Sequence, residues 1–172
     1  KTSEFLNKEL TLLNDVRALL KNPKDVKKHL ESMLSQNTKL QKEVEGLVRD
    51  KAKGLKSELN SAVTEVNGVN FLASTVDLDS TDAIKDLAFQ MRSEIDNLFM
   101  VLGAEINGKP NLTVVVSENL VKDKGLNAGQ IIRDLAKEIQ GGGGGQPFYA
   151  TAGGKNIAGI SVALEKAKSF IV

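Results

Sequence analysis

The chain has 172 residues, 41% apolar and 26% charged, with formal net charge +1, no cysteine, no tryptophan and one histidine. Such a makeup fits a globular chain of one or two domains and leaves zinc too few Cys or His ligands. The aromatics are too few for a broad base-stacking platform, no apolar run is long enough to span a bilayer or mark a signal peptide, and the absence of cysteine fits a cytoplasmic protein.

Ser3 precedes Phe5, Leu6, Leu10, Leu13, Val16 and Leu20 at helical spacing, so a capped helix is expected there. Asn22-Pro23 reads as a stop and restart, with Asn22 as cap and proline in the first turn. The second helix carries Val26, Leu30, Met33, Asn37, Leu40, Val44 and Leu47 at alternating steps of four and three. That is a heptad seam with one polar member. Two striped helices around a short turn should fold back as an antiparallel helical hairpin or coiled coil over 1–66, and the longer second helix leaves a surplus of seam for another surface. His29 lies beside the seam on a mostly polar face and reads as solvated rather than catalytic.

From Asn67-Gly68 the period changes. Val69–Leu78 reads as a strand, and Asp79 or Ser80 caps a helix whose inner face is Ile84, Leu87, Ala88, Met91 and Ile95. Asp77, Asp79 and Asp82 at that junction suit capping better than metal binding. Leu98–Leu102 is a continuous apolar run suited to a strand covered on both sides, and Asn107-Gly108 begins the connection to a return strand at Leu112–Val116. A helix over Ala128–Ile139 capped by Asn127, then a glycine-rich loop, then a last helix lined by Ile157, Ile160 and Leu164 complete the order α-α-β-α-β-β-α-α. The expected class is α+β: the helical pair, then a small mixed-sheet α/β globular domain over 67–172.

Seven of the fifteen glycines fall between 141 and 154, in GGGGGQPFYATAGGK. The phosphate loop of nucleotide triphosphatases fails here, because Tyr149 stands where its first glycine should and Asn156 where its hydroxyl should. The dinucleotide fingerprint fails in every register. Two readings stay open. In one, Gly153-Gly154 open the last helix with free N–H groups and Lys155 in its first turn, a phosphate site. In the other, the glycines only let the chain pass tightly between two helices. Charge is segregated along the chain: 13 Lys/Arg against 9 Asp/Glu in 1–60, 2 against 8 in 61–107, and 8 against 5 in 108–172. An anionic partner would therefore favour the two ends over the middle.

The element order and the ending Gly141–Pro147 with Ala150-Thr151-Ala152-Gly153-Gly154 resemble the C-terminal region of bacterial alanyl-tRNA synthetases, whose terminal module is similar to the DHH-associated nucleic-acid-binding domain. The run LLNDVRALLKNPKD (12–25) resembles the helical link of the same enzymes. The resemblance implies a tRNA-binding appendage, not catalytic alone, that assists aminoacylation of tRNA(Ala) and editing of mischarged tRNA; its helices dimerise in some members. ATP, Mg and Zn belong, on this resemblance, to the full-length ligase, and no cofactor is expected in this stretch. Candidate phosphate contacts are Lys122, Lys124, Arg133, Lys137 and Lys155. Gly143, Gly144, Gly145, Gln146, Tyr149, Gly153 and Gly154 would shape the site. Family members often carry Arg before the proline where this chain has Gln146, so affinity is expected from flanking lysines. A helical pattern already under way at Lys1 reads as a piece of a longer protein. The rival expectations are a structural oligomerisation module, or the nucleic-acid-binding domain of a free-standing editing hydrolase or a DHH-type nuclease.

Overall fold

A computed structural model describes residues 2–21 and 23–172. The chain divides into two compact units, Lys1–Asp50 and Lys51–Val172. Long N-terminal helices precede a small mixed sheet with helices, the α+β class expected.

In the first unit, α1 (Thr2–Leu19) already includes Ser3, which therefore does not cap it. Helix α2 (Val26–Ser61) runs on into the second unit and begins three residues after Pro23. Asp25 accepts from the Lys28 N–H at 3.0 Å, so an aspartate caps this helix, while the expected cap Asn22 lies outside the described residues. Leu6, Leu10 and Leu13 of α1, and Leu30, Leu40, Val44 and Leu47 of α2, are all exposed. Among the described residues the two helices share too few contacts to pack along their lengths. Helical spacing decides which residues share a face; it does not supply an opposing surface.

In the second unit, six strands form one sheet in the order β1-β2-β3-β4-β6-β5. The strands are β1 (Thr64–Val66), β2 (Val69–Thr75), β3 (Leu98–Ile106), β4 (Lys109–Val116), β5 (Gly142–Gln146) and β6 (Tyr149–Gly153). Only β2 and β3 pair in parallel, across the crossover helix α3 (Thr81–Glu94). Ser80 caps α3, accepting from the Ala83 N–H at 3.4 Å. Asn67-Gly68 and Asn107-Gly108 have positive φ at both residues, the conformation that two-residue hairpin turns need to follow strand twist. Short β1 was not expected from the sequence; its three residues offer too little alternation to read.

The sheet is covered on both faces, so β3 is buried through Ala104. On one face Phe71, Phe99, Val101 and Val114 meet Ile131, Ile132 and Leu135 of α5 (Ala128–Leu135) and Ile160 and Ala163 of α6 (Gly159–Ala167). On the other, Leu72, Met100, Leu102 and Val115 pack on Ile84, Leu87 and Met91 of α3 and on Leu55 and Leu59 near the end of α2. Each such large side chain contributes about 1.5–3 kcal/mol by leaving water. The last turns of α2 thus belong to this core, which is why the second unit begins at Lys51.

Three expectations around the glycines change. Helix α5 stops at Leu135, not Ile139, in a turn where Gln140 has φ of 50° and the Gly141 N–H reaches back to the Ala136 carbonyl at 2.9 Å. The glycine run is then not a loop between helices but the edge strand β5, paired antiparallel to β6. And α6 begins at Gly159, four residues beyond Lys155.

Candidate nucleic-acid interface

The glycine hairpin is built by the strand beside it. A side chain at Gly143 would place its Cβ 2.5 Å from the Ala152 Cβ, and nearer still to the Thr151 carbonyl, so the approach of β5 to β6 excludes any side chain there. At Gly142 and Gly144 nothing lies within 4 Å of such a Cβ. Packing therefore accounts for alternate glycines only. The others leave bare backbone on an edge strand, where unpaired peptide groups face outward. The Asn127 side chain caps α5 by accepting from the Gln130 N–H at 3.1 Å, and the Ala128 N–H donates to the Pro147 carbonyl at 2.8 Å. The start of α5 thereby holds the hairpin turn.

At the opposite end of the hairpin, Lys109, Asn111, Gln140, Gly153, Gly154 and Lys155 line a cavity of about 440 Å³. Both lysines are exposed, neither has an acidic partner among the described residues, and no carboxylate lines the cavity. The expected free N–H groups are not there. Gly154 donates to the Pro110 carbonyl at 3.1 Å, and Lys155 and Asn156 donate to the Ile139 carbonyl at 2.9 and 3.0 Å. Lys155 therefore offers its ammonium group alone, and not as part of a helix N-terminus.

The remaining candidates separate. Arg133 on α5 and Lys122 on α4 (Glu118–Asp123) are exposed with no acidic partner among the described residues. Lys137 is committed to Asp134, 2.7 Å away. That hydrogen bond and charge hold the Asp134 carboxyl below its ordinary range and raise the Lys137 ammonium. Lys124 donates to the Asn67 carbonyl at 2.6 Å, on the β1–β2 turn at the far end of the strand order. Only Lys155 among the expected cations shares the hairpin's cavity; Lys109 joins it unannounced, because it follows a turn that reads simply as a connection.

The turn end is aromatic. Tyr149 stacks on Phe89 of α3 with centroids 5.1 Å apart, and Lys85 lies 6.0 Å from the tyrosine ring. The Arg92 guanidinium sits 5.2 Å from the Phe89 ring and 4.9 Å from that of Phe148. Burial, and secondarily the charge of Asp82, pushes the Tyr149 phenol above its ordinary value. The chain's aromatics are few, yet three of them gather here. The helical spacing of Lys85, Phe89 and Arg92 was the available signal.

A family model described as the DHHA1 domain matches residues 68–172. Among curated proteins, the alanine–tRNA ligase of Christiangramia forsetii is 51% identical over 98% of this chain. That of Cytophaga hutchinsonii is 44% identical over 97%. The chain spans about a fifth of their length, 19% in each case. The crystal structure of the C-Ala domain from Aquifex aeolicus alanyl-tRNA synthetase superposes with a TM-score of 0.57. It covers 63% of this chain and 96% of that one at 22% identity, a likeness of fold. The chain belongs to the DHHA1 domain family, in the form carried by the C-terminal region of alanyl-tRNA synthetases.

Proposed function

We propose that the chain is a tRNA-binding module of an alanine–tRNA ligase, and that in the whole protein it helps present tRNA(Ala) for aminoacylation and for the editing of mischarged tRNA. The observation that carries this reading is the carboxylate-free cavity at the base of the glycine hairpin, with Lys109 and Lys155 unpaired beside it. A phosphate of the RNA backbone would lie between the two ammonium groups, and the bare peptides at Gly142 and Gly144 would admit the ribose-phosphate chain closely. Arg133 and Lys122, both exposed, would add charge outside the cavity lining. Whole-ligase requirements for ATP, Mg and Zn would rest on other domains.

Titration with tRNA at several salt concentrations tests the proposal. The logarithm of the affinity should fall linearly with the logarithm of salt, and Lys109→Ala or Lys155→Ala should each lower the slope by about one. An affinity indifferent to salt, or no binding by the wild-type chain, refutes it.

A second reading has its own observation. The heptad seam of α2 is exposed throughout Leu30, Met33, Leu40, Val44 and Leu47, the surface a structural oligomerisation module would bury against a second copy. Molar mass by light scattering, measured beside the tRNA titration, separates a dimer without RNA affinity from an RNA-binding module.

A further inference from the structure

The hairpin turn is not held by backbone alone. Arg92 projects from α3, and its guanidinium lies over the ring of Phe89, on its own helix, and over that of Phe148, on the turn. One of its terminal nitrogens faces the Glu118 carboxylate at 3.6 Å. The other is buried with no hydrogen-bond partner among the described residues. An unpartnered buried guanidinium nitrogen is costly unless something else is gained by keeping it there. The compensating contacts are the two ring faces, since a weakly hydrated planar cation stacks on aromatic rings where an ammonium does not. Glu118 is itself largely exposed and too distant for a tight ion pair, so charge pairing does not explain the position.

The neighbours extend the contact. Phe89 carries Tyr149 on its ring, and the Phe148 carbonyl accepts from the Val116 N–H at 3.0 Å, so α3, the turn and the end of β4 meet around this one side chain. Lys85, one turn before Phe89 on the same helix, lies 6.0 Å from the centroid of the Tyr149 ring.

We infer that Arg92 is a positioning residue: its stacked guanidinium fixes the Gln146–Tyr149 turn, and through it the glycine hairpin, in the orientation that receives RNA. The inference rests on the tRNA-binding reading for its consequence, but its structural half can be measured without RNA.

Tyr149 is the sole tyrosine and the chain has no tryptophan, so its fluorescence reports this turn specifically. In the 172-residue chain, Arg92→Met should keep a cooperative thermal transition while acrylamide quenching of Tyr149 rises about twofold. Affinity for tRNA should fall about tenfold, the size of one desolvated cation–aromatic contact, with the salt slope unchanged because no phosphate contact is lost. Arg92→Lys, which keeps the charge and loses the plane, should behave like Arg92→Met. If Arg92→Met does not fold, Phe148→Ala leaves Arg92 in place and removes a half-buried turn side chain; the same readouts apply. Unchanged quenching, a slope lowered by one, or full rescue by lysine overturns the inference. Should the wild-type chain bind no tRNA, the binding proposal falls, and the quenching result alone still decides whether Arg92 holds the turn.

Discussion

At Gly143 and Gly144, two adjacent and identical residues have different reasons to be glycine. Gly143→Ala would drive a methyl group into the β6 backbone and the Ala152 side chain, so it should destabilise the second unit by about 1–3 kcal/mol, the cost of forcing atoms into a closed space. Gly144→Ala meets nothing within 4 Å and should change stability by less than about 0.5 kcal/mol, while weakening tRNA binding if RNA approaches the bare strand. Thermal melts of the two variants, followed by tRNA titration of the second, check both halves. Tyr149 gives a test against pH. Its phenol is raised above the ordinary value near 10 in the folded chain, so the unfolded chain loses that proton first as pH rises. The stabilising contribution is complete below pH about 10 and is lost as pH climbs through the folded value. Absorbance of the single tyrosine near 295 nm should show a midpoint above that of the urea-unfolded chain; coincident midpoints would contradict the burial.

Among the elements, side-chain pattern was legible and its absence was not. The run Leu98–Leu102 announced a strand covered twice, and Asn107-Gly108 a tight hairpin, because both signals reside in the residues themselves. The five glycines read as a loop since strand patterns depend on alternating side chains, and here the pairing is imposed by β6 and by the start of α5. The same limit applies to the candidate site. Lys155 was legible beside its glycines, whereas Lys109 enters the cavity only through the pairing of β4 with β6. Lys137 differs from Lys155 for a local reason: Asp134 stands three residues before it and pairs with it at 2.7 Å. Removing that partner is therefore informative. Asp134→Asn should free Lys137, strengthen tRNA binding about twofold to threefold, and steepen the salt slope by up to one. An unchanged slope would place this face of α5 outside the interface.

For the molecule as a whole, the two units pose different physical problems. The second unit buries its apolar residues on both sides of a sheet; the first leaves a regular seam in water. Exposed apolar residues scattered singly are ordinary, but Leu30, Met33, Leu40, Val44 and Leu47 recur at heptad positions, and Leu47 is 70% exposed. Asn37 within the seam is the kind of polar residue that fixes register between paired helices at some expense of stability. A self-associated chain should therefore show a molar mass that rises with concentration across the micromolar range. Leu40→Lys would put a charge in the middle of the seam and should return the mass to that of the monomer. Because Leu40 lies in the first unit, and Lys109 and Lys155 in the second, the same variant should keep the salt slope of tRNA binding. A mass fixed at that of the monomer across the whole range in the wild-type chain leaves the seam without a second copy to meet. A Leu40→Lys chain that loses both the mass increase and the salt slope would instead make assembly a precondition for binding RNA, since the substitution removes no cation from the hairpin.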